Sequence, residues 1–471
     1  MQYFKRQARP VLPVLLLLYF SVSFYSCSDN SDEKSPQNPP PVTPTIPDPE
    51  PDPDVDLKNL AACTAKVAYG YTDKVSYSPS EKVTVYLHTA APTAACRLNI
   101  YSITADSIFS VKTSLKSQSI ATSDPAIDGF GFSPTVEMEI PSNVPSGLYM
   151  IENKIPFIVK SPGAVDLLIV YPSNTANAYE QSGGKSLYTS NKGSAVSFHR
   201  PIALQPFSSV CLQWFYKFPG IKIGYIADMD LENYSNIADA KILAIVGHNE
   251  YWTRKARKNF DAFVDSGHDA LILSGNTMWW QVRYSDDQSQ LVCYKSDIDP
   301  VSDASLKTIV WNNASLSYPI ISSIGADFDL GGYGLKTDKG WDGYKVMKPT
   351  SPLFEGTGLK KGDIISMPTS EYDGAPLSGF DMDNYPILNR KALQADQAEI
   401  IAFDRGFRNA ADTYPTLLIY KRSKSSGIII NAGTTDWCST NGMGGASGTT
   451  IKKITTNAIH KLLNDENVFS Q

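Results

Sequence analysis
The stretch from Lys241 to Arg283, KILAIVGHNEYWTRKARKNFDAFVDSGHDALILSGNTMWWQVR, leaves the chain few ways to fold. Residues 241–246 form a short, β-branched apolar run and read as a buried strand. The polar turn Gly247-His248-Asn249-Glu250-Tyr251-Trp252 leaves it. Thr253 is placed to cap a helix in which Ala256, Phe260, Phe263 and Val264 recur at helical spacing, and Gly267 is its stop. Residues 270–273 are a second apolar strand that ends at Ser274-Gly275-Asn276-Thr277. Strand, helix and strand at this spacing predict a βαβ unit with its ligand site at the carboxyl ends of the strands. Both polar turns fall on that edge.

The first turn holds one of five histidines, with a carboxylate two residues on. The plain alternative is that His248 and Glu250 only cap the following helix, where an acid suits the dipole. Capping does not explain why Gly, His, Glu, Tyr and Trp crowd together at a strand exit. Residues two apart in extended backbone share a face, so His248 and Glu250 can reach one cleft. A carboxylate suits a cation, and an imidazole suits proton transfer.

The start of the chain is of a different kind. Lys5, Arg6 and Arg9 precede a mostly apolar run over residues 11–25, and Cys27 follows Ser26. A basic region, a short apolar core and a small residue predict a signal peptide, and the core is too short for a comfortable membrane span. Phe24-Tyr25-Ser26-Cys27 resembles a lipobox without its leucine, which makes Cys27 the lipidated first residue of the mature protein; cleavage without lipidation is the alternative. The acidic run over residues 28–33 is similar to the surface-export signal of Bacteroidetes-type lipoproteins, or else is an ordinary solvated charge run. Residues 36–56, rich in proline and acid, predict an extended spacer. The expected organisation is a lipoprotein signal peptide over 1–27, a Pro-rich linker over 28–57, a β-sandwich over 58–161 and a catalytic domain over 162–471. The expected address is the cell envelope, with the lipid in the outer membrane and the protein facing outward.

A net charge of -6 and a pI near 5.5 argue against nucleic acid as a partner. Neither GxxxxGK[ST] nor GxGxxG occurs, and no CxxC pair suggests a zinc site. Cys63 and Cys96 lie in one expected domain and could pair; buried thiols are the alternative. Between about residues 67 and 159, runs such as Lys82-Val83-Thr84-Val85-Tyr86-Leu87-His88 alternate between turn signals, which predicts an immunoglobulin-type sandwich. Beyond it, residues 166–171 are a first strand, followed by a long polar loop with Asn174, Tyr179, Gly183, Gly184 and Tyr188. Residues 369–373 read as a polar turn, 428–431 as a late buried strand, and Ile451, Ile454, Ala458, Leu462 and Leu463 as a closing amphipathic helix.

Four motifs together are specific. GHNEYW followed by SGNTMWWQVR, Thr175-Ala176-Asn177-Ala178-Tyr179, Gly183-Gly184-Lys185-Ser186-Leu187-Tyr188, and Asn431-Ala432-Gly433-Thr434-Thr435-Asp436-Trp437 resemble the large-subunit family of N,N-dimethylformamidase. The resemblance runs from about Gly70 to the C-terminus. It implies an α/β domain like the class I glutamine amidotransferases, with a mostly parallel sheet. His248 and Asn249 stand where the nucleophile of that fold would be, so a thiol mechanism is not expected. The resemblance also implies one mononuclear non-haem iron held by two tyrosines and a glutamate: Tyr149, Tyr179 and Glu250. Tyr188 is a rival for the second tyrosine. Tyr149 enters through Pro145-Ser146-Gly147-Leu148-Tyr149, where a core strand tyrosine is the alternative. Phenolate and carboxylate are hard anionic donors, which favours ferric iron.

The activity so implied is hydrolysis of an amide C–N bond. His248 would pass a proton to the leaving amine, and Glu371 would act as general base or orient His248. Asn249 and Asn276 would present amides to the carbonyl oxygen. Two other readings stand beside it: a surface protein that binds glycan or peptide without turnover, and a glycoside hydrolase using Glu250 and Glu371. A homo-oligomer and a small companion subunit are left open. The tether has a direct test. Cys27→Ser is expected to release the protein from the membrane fraction on cell fractionation, and unchanged membrane association would rule out the lipid anchor.

Overall fold
The computed structural model describes residues 57–334 and 340–470. The signal peptide, Cys27 and the spacer to residue 56 lie outside them. Two sheets open the described chain. One has five strands in the order Ser76–Tyr77, Ile155–Val159, Gly147–Ile151, Thr93–Ser102, Ser107–Leu115; the other has three, Val67–Thr72, Lys82–Thr89, Val136–Glu139. Lys82–Thr89 alternates buried with more exposed side chains along its length. Its buried set, Val83, Val85 and Leu87, shares one core with Leu98, Ile100 and Phe157 of the other sheet. A Cys63–Cys96 disulfide is also buried there.

Gly147–Ile151 is buried at every position, because each of its faces meets a different core. Tyr149 and Ile151 point into the first core. Leu148 points the other way and packs, with Ile158, against Leu167, Ile169 and Tyr225 of the following sheet.

That sheet has nine strands in the order Ile223–Ala227, Val165–Tyr171, Ala240–Gly247, Asp269–Ser274, Ile428–Asn431, Thr416–Lys421, Gln397–Phe403, Gly343–Val346, Ile364–Ser366. The first five are parallel. The βαβ unit at the centre forms as its residues indicate, with Ala240–Gly247 and Asp269–Ser274 joined through the helix Arg254–Asp265. Alternate residues face two cores. Ile242, Ala244 and Val246 face the helices Ser209–Tyr216 and Gly448–Leu463, while Leu243 and Ile245 face Arg254–Asp265.

The expected mostly parallel, glutamine-amidotransferase-like α/β fold is not what forms beyond the two opening sheets. The protein is mostly β, 34% strand against 18% helix, and its large sheets are mixed or antiparallel. From Ile428–Asn431 outward every neighbour in the nine-stranded sheet is antiparallel. Residues 422–427 are the whole connection between Thr416–Lys421 and Ile428–Asn431, too short for the dozen or more residues a parallel crossover requires. The segment 343–421 holds only one short helix, the four-residue Arg390–Leu393, besides a 3₁₀ turn, so no helix long enough to carry a crossover stands between its strands.

Two further four-stranded sheets grow from the carboxyl edge. In one, Tyr251–Thr253 runs parallel to Trp280–Tyr284, which pairs on with Gln290–Val292 and Ala195–Ser197. In the other, Glu371–Gly374 joins Gly332–Tyr333, Gly406–Arg408 and Ala411–Thr413. Among the described residues no helix is long and apolar enough to cross a membrane.

Thr253 closes the N-terminus of the central helix, accepting from Ala256 N at 3.1 Å. Thr253→Ala should therefore lower the unfolding free energy by about 1 kcal/mol, whereas Thr253→Ser should be nearly neutral. Denaturant midpoints of the two variants check this.

Candidate active site
The centre of the site is the turn after Ala240–Gly247. Gly247 has φ +76, and a Cβ there would stand 2.9 Å from the Cβ of Ser208, so the bend needs glycine. The backbone beyond it is fixed from the neighbouring strand exit. Asn249 N donates to Ser274 Oγ at 3.1 Å, Met278 N to Asn249 O at 3.0 Å, and Trp280 N to Glu250 O at 2.9 Å. At the same exit Gly275 packs on the loop after Ile428–Asn431; a Cβ there would lie 2.3 Å from Thr435 N.

His248 and Glu250 share a face, with Nε2 3.4 Å from Glu250 Oε2. Glu371, from another sheet, brings Oε2 to 3.3 Å from the same nitrogen. Both histidine contacts are within ion-pair range, but Nε2 makes no well-formed hydrogen bond, so they are charge contacts. Burial works against charge on His248, but Glu371, Glu250 and Asp373 outweigh it and hold its pKa above the ordinary value. Burial raises the pKa of Glu250, opposed by His248 and Lys295.

Glu250 is 2% exposed, and two groups donate to it: Tyr179 Oη to Oε2 at 2.8 Å and Trp280 Nε1 to Oε1 at 2.9 Å. Tyr188 stacks on Tyr179 with ring centroids 4.6 Å apart and is 53% exposed, so it stands at the mouth. Burial and the charge of Glu250 push both phenol pKa values up. Lys295 sits among the rings of Tyr188, Tyr251 and Trp280, 5.1, 5.0 and 4.6 Å from their centroids, and donates to Tyr251 Oη at 2.7 Å. Its charge favours the ionised form of Glu250. Neither Lys295 nor Trp280 was assigned a role from the sequence; a single lysine in a loop carries no motif.

Several expected residues do other work. Asn249 is fully buried and points away from its neighbours, donating from Nδ2 to Asp228 Oδ1 at 3.0 Å. Extended backbone sends 248 and 250 one way and 249 the other, so its amide does not face the site. Asn276, at φ +49, donates to Glu371 Oε2 at 3.1 Å and so orients a carboxylate. Residues 369–373 are not simply a turn, since Glu371 opens the strand Glu371–Gly374. Tyr149 is not brought to the cluster. Its ring lies in the first core, against Phe157, and its hydroxyl donates to Pro145 O at 2.7 Å, four residues upstream, as in a tyrosine corner. Strand alternation explains it: Leu148, not Tyr149, faces the second core.

The loop expected after Val165–Tyr171 begins as a helix, Ser173–Tyr179, which delivers Tyr179. Its ends are satisfied from far away. Asp228 Oδ2 accepts from Asn174 N at 2.8 Å at the start. At the other end buried Arg200 donates to Asn177 O at 2.7 Å, Ser182 O at 2.6 Å, Lys185 O at 3.0 Å and Ser197 O at 3.1 Å. Arg200 thus pins the segment between Tyr179 and Tyr188.

Among the described residues, no three His, Cys, Asp or Glu side chains form a metal-holding group. Tyr179, Tyr188 and Glu250 together offer hard oxygen donors, with His248 Nε2 beside them in charge contact with Glu250 and Glu371. That donor set suits a hard cation.

Compared with known proteins, residues 94–444 match the family described as N,N-dimethylformamidase beta subunit-like, C-terminal. No curated protein matches. Among solved structures, a ThuA-like protein from Bacteroides uniformis ATCC 8492 aligns over 66% of this chain and 96% of its own, at 9% identity and a TM-score of 0.33, too low to bear on the argument.

Arg200 gives the site a stability test. An ammonium cannot serve four carbonyl oxygens, and each buried acceptor left without a donor costs about 1–3 kcal/mol. Arg200→Lys is expected to lower the unfolding free energy by roughly 2–4 kcal/mol, read from its denaturant midpoint.

Proposed function
The chain belongs to the family described as N,N-dimethylformamidase beta subunit-like, and from that membership we propose that it hydrolyses a linear amide C–N bond to a carboxylic acid and an amine. One observation carries the reading: His248, Glu250, Glu371 and Tyr179 meet at a single buried point. We assign Tyr179, Tyr188 and Glu250 to a mononuclear iron, with Tyr188 in the place first given to Tyr149. When bound, that ion would supply Lewis-acid polarisation of the amide carbonyl.

The remaining steps belong to side chains. Trp280 donates to one oxygen of Glu250, which limits rotation of the carboxylate. Glu371, fixed by Asn276, takes the proton of the attacking water. His248, with Nε2 not engaged in a hydrogen bond, gives a proton to the leaving nitrogen. The 3.3 Å between Nε2 and Glu371 Oε2 then lets the proton taken from water return to the histidine, which resets the pair. Lys295 balances the negative charge from outside the reacting centre. The lipid anchor at Cys27 and the outer-membrane address are part of the same proposal.

Metal analysis and amide hydrolysis on one set of variants separate the roles. Glu250→Gln and Tyr188→Phe should lose iron and activity together, and Tyr149→Phe should keep both. His248→Ala should keep the iron while turnover falls by roughly 10²–10⁴. Loss of iron in Tyr149→Phe with retention in Tyr188→Phe would reverse the ligand assignment.

A further inference from the structure
The turn that holds His248 is also the inner end of a cleft of about 450 Å³. Its walls are Ala176, Tyr179, Leu204, Pro206 and Phe207. A mostly apolar cavity of a few hundred cubic ångströms is the kind that encloses a ligand well beyond the size of a methylated formamide. The rings of Tyr179 and Phe207 stand on the imidazole at centroid distances of 5.5 and 5.7 Å, the latter edge-on at 84°.

Two of the polar side chains at the rim, Glu180 and Gln205, are already engaged, and Gln181 is exposed at the outer edge. The Glu180 carboxylate accepts from Gln181 N at 2.8 Å, Ser182 N at 3.0 Å and Ala203 N at 3.1 Å. Gln205 accepts from Phe207 N at 3.0 Å and donates to His248 O at 3.4 Å. Most of what faces an incoming molecule beside His248 is hydrocarbon and aromatic ring, from Ala176, Tyr179, Leu204, Pro206 and Phe207. A charged or sugar-like group would lose its hydration there without gaining partners.

His248 decides which end of the substrate enters. It lines the cleft and brings Nε2 to 3.4 Å from Glu250 and 3.3 Å from Glu371, which are not among the lining residues, and a proton donor must lie within hydrogen-bond reach of the leaving nitrogen. With the nitrogen against the imidazole and the carbonyl toward Glu250, the nitrogen substituent runs into the cleft. We infer that the cleft between Tyr179 and Phe207 binds the amine half of the substrate, and that this half is a flat apolar group, so that the substrate class is N-aryl amides. The inference rests on the amide-hydrolase reading above and adds the substrate to it. Offset or edge-to-face contact with two rings is the arrangement aromatic groups prefer.

The test compares kcat/KM of the iron-loaded full chain on formamide, N,N-dimethylformamide and formanilide. Formanilide should be favoured over formamide by at least about tenfold, and Phe207→Ala should cut that ratio by about tenfold or more, while Phe207→Tyr should retain it. Intrinsic reactivity of the three amides is the same for every variant, so the change in ratio isolates the cleft. Phe207 is only half-buried, and Leu204→Ala provides a second variant on the same wall. Hydrolysis of the small amides with a ratio that neither Phe207→Ala nor Leu204→Ala alters would overturn the cleft assignment and leave the hydrolase standing. No hydrolysis of any of the three would overturn both.

Discussion

A carboxylate buried where a strand ends is the constraint to which the other parts answer. Moving an ionised side chain out of water costs several kcal/mol unless partners replace the lost hydration. Glu250 is nearly fully buried, and its partners come from distant stretches: Tyr179 from a short helix, Trp280 from the next strand exit, Lys295 from a loop, His248 from its own turn. None of these can satisfy it unless the sheets are already packed. The short parallel pairing of Tyr251–Thr253 with Trp280–Tyr284 is the clearest consequence, since it sets the Trp280 indole beside the carboxylate.

Where local chemistry decides the structure, the residues announce it. The central βαβ unit could be read from an apolar run, a threonine cap and a glycine stop, each of which acts within a few residues of itself. The common face of His248 and Glu250 follows from backbone alternation alone. The same rule, carried one residue further, also implies that Asn249 faces away, and the structure has it donating to Asp228.

The rest depended on partners far along the chain. Ser173–Tyr179 has no side-chain cap of its own, and both its ends are held by Asp228 and Arg200. Nothing between residues 172 and 180 reveals that. Tyr149 sits in a strand buried on both faces, so period-two patterning cannot say which core each residue enters. Strand direction beyond Ile428–Asn431 was hidden for another reason: apolar runs identify strands but not their sense, which connection length and the lack of intervening helices impose.

Asp228 shows how the two halves of the candidate ligand set are kept in register. Tyr179 and Glu250 are 71 residues apart and belong to different elements. One oxygen of Asp228 holds Asn174 N at the start of the helix that carries Tyr179, and the other holds Asn249, the residue before Glu250. Burial raises the pKa of Asp228 to about 7, against the donors that favour its charged form. That is the signature of a group kept inside for its geometry despite the cost of its charge. A neutral side chain of similar shape could accept on one side, but its second atom would have to be a donor, facing either an N–H or an amide N–H₂. The carboxylate is the small group that accepts in both directions, and the spacing between tyrosine and glutamate follows from that symmetry.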